Sequence, residues 1–90
     1  MIKVVFTPHF RKSYKKLVKN SEKLKSVIHE KLKLFERNPL DPSLKNHNLK
    51  GKLKGYRAIV IGYDLRAIFR CEDEIVIFFD IGTHDEVYGG

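Results

Sequence analysis

The fold is decided by residues 56–81, which read YRAIVIGYDLRAIFRCEDEIVIFFDI. Apolar or alternating segments cover residues 56–61, 65–71 and 75–81, and the spacers at 62–64 and 72–74 have hairpin length. Strands that are joined by such tight turns must be antiparallel neighbours. This stretch therefore predicts a three-stranded antiparallel meander.

Upstream of the meander, the chain predicts one strand and two helices. Residues 1–6 form a short apolar run rich in β-branched side chains, which is typical of a strand. Thr7 followed by Pro8 predicts the N-cap and first turn of a helix, and its apolar stripe contains Phe10, Tyr14, Leu17 and Val18. Ser21 predicts the cap of a second helix, whose buried side is Leu24, Val27, Ile28, Leu32 and Phe35.

Asn38 and Pro39 end the second helix, and residues 39–55 predict a loop that leads to the sheet edge. The two helices need the apolar face of the sheet to bury their stripes. The sequence therefore predicts a single α+β domain over residues 1–90, with an N-terminal strand, a two-helix hairpin and the meander in a small, mostly antiparallel sheet.

Charge is distributed unevenly along the 90 residues, whose net charge is +7. Residues 1–55 hold fifteen Lys and Arg against four Asp and Glu, a net charge of +11, and residues 56–90 hold three against seven, a net charge of −4. Lysine-rich helices serve solubility in many proteins. For the asymmetry as a whole we favour a surface that binds a polyanion such as nucleic acid.

Composition excludes several kinds of site. The single cysteine, Cys71, cannot form an intramolecular disulfide, as expected for a reducing cytoplasm, and the sequence has no metal-binding spacing. The small core leaves no room for a deep cavity that would hold a large cofactor. Apolar runs are far shorter than a membrane helix requires. We therefore expect no metal, no small-molecule cofactor and no membrane contact.

Three groups of residues are candidates for chemistry. Lys50, Lys52 and Lys54 alternate with Gly51, Leu53 and Gly55, and at strand spacing their ammonium groups would project to one side. They would then bind phosphates, or protect an edge strand against aggregation. Asp64 and Arg66, also two residues apart, would orient each other or a phosphate, or form a simple surface ion pair.

The third group consists of two histidines and a tyrosine. His84 is predicted in an exposed loop just past the last apolar strand, within Gly82-Thr83-His84-Asp85, and an imidazole can give or take a proton near neutral pH. His47 precedes the lysine segment, and the ring of Tyr88 near the C-terminus can stack on a base.

The pattern His47-x-Leu49-x-Gly51-x-Leu53-x-Gly55-Tyr56-Arg57, with Asp64, Ile68-Phe69, Gly82-Thr83-His84 and Tyr88-Gly89, resembles the RelE/ParE superfamily of bacterial toxins. It is most similar to the YafQ branch of ribosome-dependent mRNA endoribonucleases, and the order of elements matches over nearly the whole chain. The branch usually has a further histidine in the strand after Gly-Tyr-Arg, where this sequence has Val60.

The resemblance implies roles for the candidate residues. His47, Asp64 and His84 occupy catalytic positions of the YafQ branch, and Tyr88 occupies its terminal aromatic position. Arg66 is similar to the strand arginine that contacts the scissile phosphate in the RelE branch. RNA cleavage by its own 2′-hydroxyl needs a base, an acid and cations, and no metal. His84 is then the acid, His47 or Asp64 the base or orienting group, and the phosphate is stabilised by Arg66, Lys50 and Lys52.

The resemblance also implies partners, namely a cognate antitoxin, the ribosome and its mRNA. Two other functions stay open at this stage. The ParE side of the superfamily poisons DNA gyrase, although His84 favours RNA cleavage. A non-catalytic nucleic-acid-binding module would use the lysines alone.

Overall fold

The computed structural model describes residues 2–62 and 64–88. Within them the chain forms strand β1 (Lys3–Phe6), helices α1 (Pro8–Val18) and α2 (Glu22–Arg37), and strand β2 (His47–Asn48). Strands β3 (Arg57–Val60), β4 (Leu65–Glu72) and β5 (Ile75–Thr83) follow, and the short helix α3 (His84–Tyr88) comes last. The α+β class, the helix pair and the three-stranded meander are confirmed.

The sheet has five strands in the order β1-β5-β4-β3-β2. Strand β1 is parallel to β5, and the other neighbours are antiparallel. The parallel pair arises because the helix hairpin separates β1 from the meander and returns the chain to the same end of the sheet. This order places β1 and β2 at opposite edges.

The predicted helix caps are confirmed. Thr7 Oγ1 accepts a hydrogen bond from the Phe10 amide at 3.0 Å, and Ser21 Oγ accepts one from the Leu24 amide at 3.1 Å. These caps satisfy amide groups at the helix N-termini that have no partner within the helix. Helix α2 ends at the predicted Asn38, whose amide donates to the Leu34 carbonyl.

The helices cover one face of the sheet and enclose an aromatic core. The ring of Phe35 on α2 meets those of Phe69 on β4 and Phe78 on β5 edge-on, with centroids 5.1 and 5.3 Å apart. Phe10 and Ile28 complete the apolar contact between helices and sheet. On the second face of β3 and β4, Ala58 and Ile68 are also buried, whereas Val60 and Arg66 at the strand ends are partly exposed.

Three local predictions were wrong or incomplete. Residues 50–54 do not form a strand, because Gly51–Leu53 is a 3-10 turn. The loop over residues 39–55 contains a two-residue edge strand, β2, that pairs with β3. His84 does not lie in a loop, because it begins α3. Four residues lie outside the described part of the chain, namely Met1, Tyr63, Gly89 and Gly90. Part of the predicted turn at 62–64 and the end of the Tyr88-Gly89 motif therefore lie outside it as well.

Candidate functional site: a cationic groove with two histidines

An open groove of about 630 Å³ lies between α3, the ends of β3 and β4, and the segment before β3. Its volume falls within the range of about 300 to 1,000 Å³ that is typical of ligand sites. The groove is lined by Lys45, His47, Leu49, Lys50, Lys52, Leu53, Val60, Arg66, His84 and Tyr88. Six of the eight site residues predicted from the sequence therefore meet at one surface, and Asp64 and Lys54 do not line it.

The groove is positively charged. Four of its ten lining residues are Lys or Arg and none is Asp or Glu. The apolar wall between these cations consists of Leu49, Leu53 and Val60. Cations together with apolar side chains suit a ligand with phosphates along its backbone and flat bases.

The lysine segment curves around the groove and does not extend along it. Gly51 has φ +68° and Gly55 has φ +96°, which L side chains rarely adopt, so the chain turns sharply at both positions. The Lys54 amide closes the turn by donating to the Gly51 carbonyl at 3.1 Å. This turn, rather than strand pleating, brings Lys50 and Lys52 to the groove, and it leaves Lys54 outside the lining.

His47 is held by a backbone contact. Its Nδ1 lies 2.7 Å from the carbonyl oxygen of Lys45, whose backbone is left-handed with φ +47°. Because a carbonyl oxygen can only accept, Nδ1 carries the proton, and in the neutral ring Nε2 is left with the lone pair. His47 is therefore oriented as a proton acceptor through Nε2.

His84 is positioned by a capping box at the start of α3. The Thr83 amide donates to Glu86 Oε1 at 2.8 Å, and the Glu86 amide donates to Thr83 Oγ1 at 3.3 Å. The hydrogen bond from the Thr83 amide, and next the interaction with the Thr83 side chain, lower the pKa of Glu86, so the carboxylate stays charged at the helix N-terminus. The sequence contains this signal as Thr-x-x-Glu, which would have predicted α3.

Gly82 lets α3 fold back on the sheet. A Cβ at this position would meet Glu86 Oε1 at 3.0 Å and Glu86 Cβ at 3.3 Å, so a larger residue would push against the capping box. The side chain of Val87 is buried beneath the helix. The capping box and the buried Val87 therefore fix the position of His84, whose side chain is 60% exposed.

Tyr88 lies one helical turn from His84 and contacts it edge to face, with ring centroids 4.4 Å apart. Burial raises the pKa of the Tyr88 hydroxyl, and the positive charge of Arg66 partly opposes this. Tyr88 therefore stays protonated at neutral pH and presents a hydroxyl donor together with a ring face.

Arg66 is the half-buried cation of the groove. It pairs with Val60 across β3 and β4, and its Nη1 donates to the Leu65 carbonyl at 3.1 Å. The remaining guanidinium N–H groups are available to a ligand. Val60, where the YafQ branch usually has a histidine, contributes an apolar wall beside this cation.

Asp64 and Arg66 do not form the predicted pair. Asp64 is exposed and precedes β4, and no ion pair within 4.0 Å joins the two side chains. The strand begins at Leu65, so the alternation that would place both side chains on one face does not extend back to Asp64.

Residues 2–62 and 64–88 contain no group of three or more His, Cys, Asp or Glu that would hold a metal ion. Across the same residues, no helix is long and apolar enough to cross a membrane.

Comparisons with known proteins show the family and the fold of the chain. The family described as "Bacterial toxin of type II toxin-antitoxin system, YafQ" matches residues 2–89. A copper-bound mutant toxin from Helicobacter pylori is 34% identical, with a TM-score of 0.79 over 97% of this chain and 99% of that one. YafQ from Escherichia coli strain BL21(DE3) is 25% identical, with a TM-score of 0.81 over 99% of this chain and 100% of that one.

The comparisons also include a complex. The chain is 25% identical to a chain of the E. coli DinJ-YafQ complex, with a TM-score of 0.79 over 99% of this chain and 100% of that one. A comparison with curated protein sequences gives no match.

Proposed function

We propose that this chain, which belongs to the YafQ family of toxins from bacterial type II toxin-antitoxin systems, is an endoribonuclease that cuts ribosome-bound mRNA in the cytoplasm. The observation that carries the proposal is the presence of two histidines, His47 and His84, on one cationic groove. A base and an acid that flank a phosphate-binding surface are what cleavage of RNA without a metal requires.

The proposed reaction is attack by the 2′-hydroxyl of the RNA on its adjacent phosphate. His47 Nε2 takes the 2′-hydroxyl proton as the new O–P bond forms. His84 then gives a proton to the 5′-oxygen as the old P–O bond breaks, which leaves a 2′,3′-cyclic phosphate and a free 5′-hydroxyl. We assign the base to His47 rather than Asp64, because His47 lines the groove with an oriented lone pair.

The cations of the groove stabilise the negative charge that gathers on the phosphate oxygens. Arg66 is half-buried, so its charge is screened less than that of an exposed lysine. Lys50 and Lys52 are exposed and hold the flanking phosphates. Tyr88 supplies a ring for a base beside the scissile bond.

The ribosome supplies what the groove lacks. The groove is wide and open and has few groups that would hold a flexible RNA in line for attack. Holding the mRNA in a fixed geometry removes a large entropic cost from such a step. Cleavage therefore depends on mRNA that the ribosome has already positioned.

A cognate antitoxin is the second proposed partner. A YafQ has been solved in complex with DinJ, and this chain covers the whole of the similar chain. A cationic groove on a protein of net charge +7 suits an acidic partner.

The experiment that tests this function is induced expression together with a translation extract. We expect growth to stop, and we expect reporter mRNA to be cut when ribosomes translate it but only slowly as purified RNA. DNA supercoiling should remain normal. Intact mRNA with lost supercoiling would support gyrase poisoning instead, and RNA binding without cleavage would support a non-catalytic module.

The lysines should act through charge. Replacing Lys50 and Lys52 together with alanine should lower the slope of log affinity against log salt for single-stranded RNA by about 1.4, since each lost phosphate contact removes about 0.7. Lys54→Ala is the matched control from the same segment, because Lys54 does not line the groove. An unchanged slope in the double variant would remove both lysines from the RNA contact.

A further inference from the structure

Strand β2, which carries His47, has little support from its backbone. It stands last in the strand order and has β3 as its neighbour. It pairs with β3 over His47 and Asn48, and the Leu49 amide adds one bond to the Tyr56 carbonyl at 3.0 Å. So short a ladder forms few backbone hydrogen bonds, and side-chain contacts must therefore contribute to holding His47 in place.

Arg57 of β3 bonds to both neighbours of His47. Arg57 Nε donates to Asn46 Oδ1 at 2.7 Å, and Arg57 Nη1 donates to Asn48 Oδ1 at 2.5 Å. A guanidinium presents its N–H donors in a rigid fork, so one side chain holds the two acceptors at a set separation. Asn46 Nδ2 in turn donates to the Pro39 carbonyl at 3.0 Å, which links the fork to the loop after α2.

This contact directs His47 to the groove. The side chains of Asn46 and Asn48 both reach Arg57, whereas the side chain between them lines the groove. Successive residues of an extended chain point to opposite faces, so holding both neighbours on one face keeps His47 on the other. Arg57 is half-buried and is not among the residues that line the groove. Its effect on a reaction there must therefore pass through His47.

The fork also protects the hydrogen bond that orients the ring. His47 Nδ1 donates to the carbonyl of Lys45, which directly precedes Asn46. On the other side of Lys45, Leu44 is fully buried and anchors the segment in the core. Leu44 and Arg57 therefore hold the backbone on both sides of the carbonyl that accepts from His47.

We propose that Arg57 is a positioning residue for His47, and that it acts by binding the amide oxygens of Asn46 and Asn48. The proposal rests on the proposed function, in which His47 takes the proton of the 2′-hydroxyl. Displacing a reacting group by about 1 Å can cost about a hundredfold in rate. His47 would keep its contact with Lys45 when Arg57 is removed, so we expect a loss of about tenfold.

The first test measures single-turnover cleavage on programmed ribosomes, with circular dichroism on each variant. Arg57→Ala should lower the saturated rate about tenfold and leave the ribosome concentration for half-maximal rate unchanged. The double variant Asn46→Ala/Asn48→Ala keeps the guanidinium charge but removes both acceptors, and it should be slowed to the same extent. Arg57→Lys should recover part of the rate, since it keeps a donor but not the fork.

Three results would overturn the proposal. Arg57→Ala could cut at the parent rate, or it could change only the half-maximal concentration, as a binding residue would. The double asparagine variant could cut at the parent rate while Arg57→Ala is slow, which would show that Arg57 acts through its charge. If Arg57→Ala fails to fold, the exposed Asn48 provides the test, because Asn48→Ala removes one arm of the contact at the surface and should still slow cleavage.

A double-mutant cycle tests whether Arg57 acts through His47. In the His47→Ala background, Arg57→Ala should change the residual rate by less than about twofold, because the group that it positions is already absent. A further loss of about tenfold in that background would show independent action and contradict the proposal. A His47→Ala protein that cuts at the parent rate would contradict it as well.

Nitrogen NMR of the imidazole tests the contact without ribosomes. In the parent with a neutral ring, His47 should carry its proton on Nδ1, and in Arg57→Ala the ring should exchange between both tautomers. An unchanged His47 signal in Arg57→Ala would show that Arg57 does not hold the ring.

Arg70→Ala is the matched control, because Arg70 is an exposed arginine of the neighbouring strand that pairs with Glu72. Its rate should change by less than about threefold. A parent chain that cuts no mRNA would refute the proposed function, and this role with it. An active parent together with an Arg57→Ala protein of equal rate would refute the positioning role alone.

Discussion

Replacing His84 with alanine is expected to slow mRNA cleavage on programmed ribosomes by about a hundredfold or more, which is the usual contribution of one acid-base group. His84 begins α3 with its side chain 60% exposed, so its removal creates no cavity in the core. The capping box of Thr83 and Glu86 does not involve the imidazole and should survive. The variant should therefore fold and bind antitoxin as the parent does.

Single-turnover rates, with circular dichroism measured on the same samples, separate a loss of catalysis from a loss of folding. A slower His84→Ala protein with the circular dichroism of the parent would support the proposed role of His84.

His29→Ala is the matched control. His29 is also an exposed helical histidine, but it contacts Tyr14 between α1 and α2 and does not line the groove. We expect this variant to cut at nearly the parent rate. If a folded His84→Ala protein cut mRNA at the same rate as His29→Ala, His84 would have no part in the mechanism. The non-catalytic binding module would then be favoured.

The second large effect concerns Arg66. Arg66→Ala should lower the cleavage rate at saturating ribosome concentration by about a hundredfold to a thousandfold, because in the proposed mechanism Arg66 is a donor to the charge that develops on the phosphate. Arg66→Lys should recover part of the rate, since it restores the charge but not the fork of N–H groups.

Arg70→Ala serves as the control from the same strand. Arg70 is 45% exposed and forms an ion pair with Glu72, with 2.9 Å between Arg70 Nη2 and Glu72 Oε1, and it lies outside the groove. We expect a change of less than about threefold, as for an exposed ion pair. If Arg66→Ala weakened only ribosome binding and left the saturated rate unchanged, Arg66 would be a binding residue and not a catalytic one.

Local signals in the sequence predicted most of the fold. Caps at Thr7 and Ser21 and the tight turns of the meander depend on residues a few positions apart, so they are visible without any tertiary information. The alternation of lysines over residues 50–54 wrongly predicted a strand, because the backbone of Gly51 and Gly55 has positive φ angles that a strand does not contain. The presence of a glycine in the sequence does not reveal which φ it adopts. The Thr-x-x-Glu motif over residues 83–86 is a local signal of the same kind and indicates the start of α3.

The sequence by itself determined the α+β class, the family resemblance and the residue types that bring acid-base and phosphate-binding chemistry. These properties depend on periodicity and on short motifs, which a linear chain displays directly.

Only the tertiary structure decided which of these residues meet. His47, Arg66 and His84 converge because β2, β3, β4 and β5 pair in register and α3 folds back over Gly82. The turn at Gly51 likewise brings Lys50 and Lys52 into the groove and leaves Lys54 out of its lining, and Asp64 precedes the strand that carries Arg66. Convergence of this kind depends on contacts between residues far apart in the chain, and those contacts form only when the sheet and its core assemble.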